Sequence, residues 1–256
     1  MNEIEFASEL ILQAKRPVVF TGAGISTESG IPDFRSPGGL WDRFDPDEFT
    51  YQKFLSNEVS RQKYWEFYKL LWETAENARP NQGHHAIAEL HHMGKLDCVI
   101  TQNIDNLHQE SGIPEEKVIE LHGTMRWVSC FECRQRYPKE QIQKRLGQGE
   151  KAPRCEACGG VLKPATVSFG QPMPERETRE AQMRAAACDL FLVAGSSLVV
   201  YPAAQMPLIA KDSGAKLIIV NLAPTPHDRY ADIVIHQKTG ETLSQLVEQV
   251  KARQKD

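Results

Sequence analysis

Small, hydroxyl-bearing and charged residues crowd the stretch Thr21-Gly22-Ala23-Gly24-Ile25-Ser26-Thr27-Glu28-Ser29-Gly30-Ile31-Pro32-Asp33-Phe34-Arg35, directly after the apolar run Val18-Val19-Phe20. The run reads as a short buried strand. A glycine pair at its end lets the backbone turn tightly and lets a phosphate approach bare N–H groups. Ser26 and Thr27 add hydroxyls, and Arg35 adds a planar cation suited to phosphate. As a dinucleotide fingerprint the pattern is incomplete, because Thr27 stands where GxGxxG requires a third glycine. By spacing alone the stretch is either a nucleotide-binding corner or a plain strand–turn–helix joint.

A second chemical signal is Cys130-x2-Cys133 followed, after 21 intervening residues, by Cys155-x2-Cys158. Two such knuckles can present four thiolates tetrahedrally to one zinc ion. Two disulfides or free thiols are the alternatives, and an intracellular chain disfavours the disulfides. Cys98 and Cys188 lie in or beside apolar strands and read as small core residues.

Further polar groups fall at the ends of apolar runs. Asp97-Cys98-Val99-Ile100-Thr101-Gln102 is a strand that leads into Asn103-Ile104-Asp105-Asn106-Leu107-His108, read as the opening of a helix. Asn103 and Asp105 either hydrogen-bond a ligand's carboxamide or ribose, or cap that helix. Lys117 to Leu121 is another strand. It delivers His122-Gly123, a general base with clearance behind it or an ordinary hydrogen-bonded histidine. Asp189 to Ala194 ends in Gly195-Ser196-Ser197, and Lys216 to Val220 ends at Asn221.

The elements that must hold these corners alternate. Helices are expected over residues 2–15, 83–93, 175–187, 202–213 and 240–251, with a short last strand at 232–235. Such alternation predicts a doubly wound parallel α/β sheet, Rossmann-like, with the corners at 22–26, 102–105, 122, 195–197 and 221 on its carboxyl edge. Residues 36–41 read as a loop. Residues 42–80 read as helical and aromatic-rich, either a ligand surface or a satellite core. The basic run Arg134, Arg136, Lys139, Lys144, Arg145 reads as a solvated face of a small inserted lobe.

Composition narrows the function classes. The chain has 256 residues, 41% hydrophobic and 25% charged, with a net charge of -4. That is an ordinary globular composition without a nucleic-acid-binding field. The first residues show no basic segment before an apolar one, and no stretch of about 18 apolar residues occurs, so neither a signal peptide nor a membrane span is expected. The expected location is cytoplasmic.

Taken in order, Gly22-Ala23-Gly24-Ile25-Ser26, Gly30-Ile31-Pro32-Asp33-Phe34-Arg35, Thr101-Gln102-Asn103-Ile104-Asp105 with Leu107-His108, His122-Gly123, the four cysteines, Phe169-Gly170, Gly195-Ser196-Ser197-Leu198 and Asn221 resemble the sirtuins, NAD-dependent protein lysine deacylases. The resemblance covers residues 18–240. It implies that the lysine's acyl oxygen attacks C1′ of the NAD ribose, that nicotinamide leaves, and that His122 then activates a ribose hydroxyl. The products are nicotinamide, O-acyl-ADP-ribose and free lysine. Mono-ADP-ribosyl transfer to protein is the enzymatic alternative, and a non-catalytic zinc-ribbon module the non-enzymatic one.

By the same resemblance, Asn103 and Asp105 hold the nicotinamide carboxamide, Ile104 packs on its ring, and Gln102 meets the ribose. Phe34 covers the sugar once nicotinamide has left. Gly22, Ala23, Gly24, Ser26, Asp33, Arg35 and Trp41 complete the phosphate and ribose side. Gly195, Ser196, Ser197, Asn221, Leu222 and Thr239 face the adenosine half. Cys130, Cys133, Cys155 and Cys158 hold a structural zinc. The acylated protein substrate pairs as a strand between Val167-Ser168-Phe169-Gly170 and Leu198-Val199-Val200. Gln171 stands where the family often has glutamate. Relatives that favour succinyl or malonyl groups resemble one another in a Tyr-x-x-Arg pair. The matching stretch here, Tyr68-Lys69-Leu70-Leu71, has leucine in place of arginine, which predicts acetyl or longer apolar acyl groups unless Lys69 reaches the pocket. The implied division is a Rossmann-like NAD domain over 1–36, 81–125 and 166–256. The small lobe comprises a helical insertion, 37–80, and a zinc module, 126–165.

Overall fold

The computed structural model describes residues 2–254; Met1 and residues 255–256 lie outside that range. Six strands form one wholly parallel sheet. They are β1 (Pro17–Thr21), β2 (Cys98–Thr101), β3 (Val118–Glu120), β7 (Leu190–Ala194), β8 (Lys216–Val220) and β9 (Ile233–Ile235), in the spatial order β3-β2-β1-β7-β8-β9. A parallel sheet must be covered on both faces, which is why its strands read as continuous apolar runs. All five residues of β1 and of β7 are buried.

Alternation along each strand splits the core in two. Val19, Val99, Leu192 and Ile218 face one layer, formed by α1 (Glu3–Gln13), α5 (Gln82–His92) and α10 (Thr239–Gln254). Val18, Phe20, Ile100, Phe191, Val193 and Ile219 face the other, formed by α8 (Glu175–Ala187) and α9 (Met206–Asp212). Cys98 and Cys188 belong to this second layer, and burial pushes both thiols up to about 12. They are packing residues.

A third core lies apart from the sheet. It joins Leu40, Phe54, Tyr64, Trp65, Phe67, Tyr68 and Trp72 to Met125, Val128, Tyr137, Ile142 and Leu162. The first group comes from α2 (Leu40–Arg43), α3 (Tyr51–Ser56) and α4 (Glu58–Glu76). The second comes from β4 (Gly123–Cys130), β5 (Arg136–Pro138), α7 (Lys139–Gly147) and β6 (Leu162–Thr166), with β4 central in an antiparallel three-stranded sheet. The aromatic-rich segment is therefore a core.

Two local expectations, the loop at 36–41 and the helix at Asn103, are corrected. The loop at 36–41 ends early, because Leu40 and Trp41 enter α2; Leu40 is buried in the third core and draws the turn into a helix. The segment from Asn103 does not begin a helix. It runs irregularly to Asn106, which adopts φ 70°, and only then does α6 (Leu107–Glu110) start. The basic run is mostly helical, as α7, with Ile142 turned into the third core and Arg145 bonded to Glu150 at 2.8 Å.

The joint between β1 and β7 sets the tightest steric demand. A Cβ on Gly22 or Gly24 would lie 2.8 Å from the Gly195 carbonyl oxygen, and one on Gly195, at φ +64°, would lie 2.3 Å from the Ile25 nitrogen. We expect Gly195→Ala to cost about 2–4 kcal/mol in urea unfolding, from strain and overlap together. Gly147→Ala, where a Cβ meets nothing within 4 Å, should be neutral or gain up to about 1 kcal/mol.

Candidate active site and metal centre

The sheet order reverses between β1 and β7, so a crevice at their carboxyl ends is the expected ligand position in such a sheet. The two glycine corners meet there. The Gly24 N–H donates to the Gly195 carbonyl at 2.9 Å, and the N–H groups of Gly22, Ile25 and Ser26 donate to Ala194, Gly22 and Ala23. The corner therefore does not present a row of bare N–H groups. Its glycines serve the close approach of two backbones.

Hydroxyls of the same corner are also committed. Thr27 Oγ1 donates to the Gly24 carbonyl at 3.0 Å. Ser26 Oγ donates to Asp105 Oδ2 at 2.7 Å and accepts from Asn103 Nδ2 at 3.1 Å. Asp105 in turn accepts the Leu107 N–H at 3.0 Å, so it does cap α6, while Asn103 does not. Burial raises the Asp105 carboxyl, opposed by the Ser26 hydroxyl and the Leu107 N–H. Ser26, Asn103 and Asp105 thus form one hydrogen-bonded unit.

Gln102 ties this unit to two other corners. Its Nε2 donates to Ser196 Oγ at 2.7 Å, and its carbonyl lies 3.0 Å from Nδ1 of His122. A carbonyl only accepts, so Nδ1 carries the ring proton and Nε2 presents its lone pair. Nε2 has no hydrogen-bond partner among the described residues. Burial lowers the pKa of His122, opposed by the Gln102 carbonyl. The imidazole is therefore held neutral, oriented and open on one nitrogen, the state a general base requires. Gly123 behind it has φ +73°, and a Cβ there would fall 2.1 Å from the Ala165 oxygen.

The remaining residues named from the sequence are spread around this centre. Asp33 closes its own turn by accepting the N–H groups of Arg35 and Ser36. Arg35 is exposed, with no ion-pair partner among the described residues. Phe34 and Trp41 pack at 5.2 Å, and Trp41 reaches Phe169 at 6.0 Å. Ile104 accepts the Met125 N–H at 3.0 Å, linking the crevice to β4. Thr239 is buried at the start of α10, whose Gly240 N–H donates to Glu28 at 2.8 Å. Asn221 turns its amide to Ala223, while Ser197 and Leu222 are exposed. Val167 N–H donates to the His122 carbonyl at 2.9 Å, and Phe169 and Gly170 continue that segment. Leu198 has φ 54°, and Val199 is half-exposed.

Four residues beneath the crevice carried no role in the sequence reading. Thr21 Oγ1 donates to Thr101 Oγ1 at 2.8 Å and lies 2.8 Å from Nε2 of His108. Thr101 Oγ1 also accepts the Asn103 N–H at 3.0 Å. His84 receives the Asn81 N–H on Nδ1 and lies 3.5 Å from Ser26 Oγ. The signal available was Asn81-x-x-His84, a capping pair at the start of α5.

The four cysteine sulfurs all lie within 4.8 Å of one another. Cys130 and Cys158 are 3.6 Å apart, Cys133 and Cys155 3.5 Å, and none is in a disulfide. Zn–S bonds of about 2.3 Å require tetrahedral edges of about 3.8 Å, so the donor set fits one zinc ion. Four thiolates close its shell, which makes the site structural.

A doubly wound sheet with this crevice and a four-cysteine module defines a dinucleotide-binding protein stapled by zinc. A family model described as the Sir2 family matches residues 22–202, and the chain belongs to that family. It is 49% identical over 244 residues to an NAD-dependent protein deacetylase 1 of Bradyrhizobium diazoefficiens, covering 95% of each chain. It is 47% identical over 252 residues to an NAD-dependent protein deacylase 2 of Archaeoglobus fulgidus, covering 98% of this chain and 97% of that one. A solved Sir2 complex with p53 peptide and NAD+ matches with a TM-score of 0.89 at 38% identity, covering 98% of this chain and 100% of the other.

Two outcomes are expected. His84 is held at about 4 by burial, and His108 is held well below its ordinary value for the same reason. A depressed histidine contributes no penalty above its unfolded pKa of about 6.5 and costs stability as pH falls below it, up to about 3 kcal/mol for His84 alone by pH 4. Urea midpoints measured from pH 7 to 4 should fall accordingly, and less so in His84→Gln. Cys130→Ala should lose the zinc measured by elemental analysis. Amide exchange should then open β4, β5 and β6 while the six-stranded sheet stays protected, because structural zinc contributes roughly 10–16 kcal/mol in small zinc peptides.

Proposed function

We propose that this protein is an NAD-dependent protein lysine deacylase that prefers acetyl to dicarboxylic acyl groups. The observation that carries the proposal is the His122–Gln102 hydrogen bond, which leaves Nε2 open beside the Ser26–Asn103–Asp105 unit. A solved Sir2 complex holding deacetylated p53 peptide and 3'-O-acetyl ADP ribose, with a TM-score of 0.87 and 39% identity, supports the same chemistry.

The crevice fits NAD by its chemistry. Asn103 and Asp105 offer an amide and a carboxyl to the nicotinamide carboxamide, and Ser26 orients both. Gln102 and His122 address the ribose, Arg35 the phosphates, and Ser196, Ser197, Asn221, Leu222 and Thr239 the adenosine half. Gly22, Ala23, Gly24 and Gly195 form the floor, and Asp33, Phe34 and Trp41 the flanking loop. Bound NAD supplies an activated ribose carbon from which nicotinamide departs and to which the acyl oxygen adds. Nε2 of His122 then accepts a proton from a ribose hydroxyl, while Gln102 fixes the ring. Phe34 excludes water and returning nicotinamide.

The acylated lysine enters between two stretches of backbone. The Val167 carbonyl accepts no hydrogen bond and the Phe169 N–H donates none among the described residues, so an extended peptide can pair there with little sequence preference. Leu198 and Val199 form the opposite wall. We assign residues 1–36, 81–125 and 166–256 to the NAD domain and 37–80 with 126–165 to the small lobe; the third core, shared by the latter two segments, supports that division. Lys69 is exposed and Leu71 packs against the third core. They lie two residues apart on α4, about 200° around its axis, so Lys69 does not substitute for the missing arginine.

Mass spectrometry after incubation with NAD and paired acetyl- and succinyl-lysine peptides should yield nicotinamide, O-acetyl-ADP-ribose and free lysine, with acetyl removed faster. His122→Ala should lower kcat/KM by roughly 100- to 10,000-fold with the fold intact. ADP-ribose accumulating on protein, or succinyl removed faster than acetyl, would contradict the reading.

A further inference from the structure

Helix α4 and the segment after β6 meet in a way that the NAD chemistry does not use. Tyr64 OH lies 2.8 Å from Ser168 Oγ, and Tyr68 OH is hydrogen-bonded to Thr166 Oγ1. All four side chains are buried. Tyr64 and Tyr68 are four residues apart on a helix, a rise of about 6.0 Å. Two residues of extended backbone span about 6.6 Å; Thr166 ends β6 and Ser168 follows two residues on, both with side chains buried against the helix. The two spacings match, so the hydroxyl pairs form two rungs between helix and strand. The tyrosine rings stack at 4.8 Å with an 18° interplanar angle, which keeps both hydroxyls aimed at the strand.

A buried cation links the two rungs. Lys163 is 3% exposed. Its Nζ donates to the Thr166 carbonyl and lies 5.4 Å from the Tyr64 ring. No carboxylate pairs with it among the described residues. The ammonium is instead held by a backbone oxygen and an aromatic face, an arrangement that fixes both.

Thr166 opposes Gly123, next to His122, and the following residue, Val167, donates to the His122 carbonyl. On the far side, Tyr51 N–H donates to the Phe169 carbonyl at 2.9 Å. The segment that we read as pairing with the substrate is thus held from the helical insertion at 166, 168 and 169.

We propose that Tyr64, Tyr68 and Lys163 are positioning residues that set the register of residues 166–169 and so govern affinity for extended acyl-lysine peptides without touching NAD. The proposal rests on the reading of Val167–Gly170 as the substrate-pairing strand. It also commits the Tyr68 hydroxyl to Thr166, which removes it from recognition of a carboxylate on the acyl group.

The test uses the full chain, NAD, a long acetyl-lysine peptide and a single acetyl-lysine amide that lacks flanking backbone. Tyr64→Phe and Ser168→Ala each delete one end of a rung and keep the core filled. Each should raise KM for the long peptide roughly 2- to 10-fold, the range set by one neutral hydrogen bond. In Tyr64→Phe, which lies outside the peptide-pairing segment, the kcat, the KM for NAD and turnover of the single amide should stay near wild type. The double variant should be no worse than the worse single one, since the two ends report one interaction. Tyr68→Phe should behave likewise through Thr166. Equal losses on the long peptide and the single amide, or additive losses in the double variant, would overturn the proposal while leaving strand pairing intact. A wild-type enzyme that binds both probes equally would instead remove strand pairing itself, and the proposal with it.

Discussion

The structure depends on one contact between two backbones. The corner after β1 and the corner after β7 touch through Gly22, Gly24 and Gly195, at a distance that a single Cβ on any of them would violate. This is the point at which the strand order reverses. Chain segments on one side run to β2 and β3, those on the other to β8 and β9, and the gap they leave at the carboxyl edge is the crevice. The glycines are there to let the two halves of the sheet close on each other. Ligand access follows from that closure rather than from an open phosphate loop.

Beneath the crevice the structure accepts an unfavourable burial. Thr21, Thr101, His84 and His108 are almost wholly removed from water, in an interior that is otherwise apolar. Their hydroxyls and rings are bonded to one another and to Ser26 and Asn103, with Nδ1 of His108 the one polar side-chain atom of the four that has no partner among the described residues. Polar groups in a low-dielectric core are costly unless satisfied, and once satisfied they are rigid. Rigidity at this level is what holds Asn103 and Asp105 in an irregular segment where no helix or strand would fix them. The site therefore rests on a polar floor whose histidines must stay neutral.

Much of this was legible in the chain. Apolar runs ending in Gly22, Gln102, His122, Gly195 and Asn221 marked parallel strands and the polar corners at their carboxyl ends, because buried strands must be apolar and polar groups gather at their termini. The paired cysteines marked the zinc ligands, since metal geometry imposes spacing. Other features had no local signature. The use of the Gly24 N–H by Gly195 joins residues about 170 positions apart, and no window of sequence contains both. The short helix at Leu40 is stabilised by the third core, not by its own residues, and Asn106 breaks the expected helix through a left-handed turn that asparagine tolerates but does not announce. His108 looked like one more residue of a motif, and only its packing against Thr21 gave it a place.

The most direct measurement is a crystal structure of the protein with a non-hydrolysable NAD analogue and an acetyl-lysine peptide. The expected result places the nicotinamide ribose over the Gly22–Gly195 contact, with one of its hydroxyls about 2.6–3.2 Å from Nε2 of His122 and the peptide backbone along Val167–Gly170. Dinucleotide density elsewhere, or an imidazole turned away from the sugar with Nε2 bonded inside the protein, would contradict it.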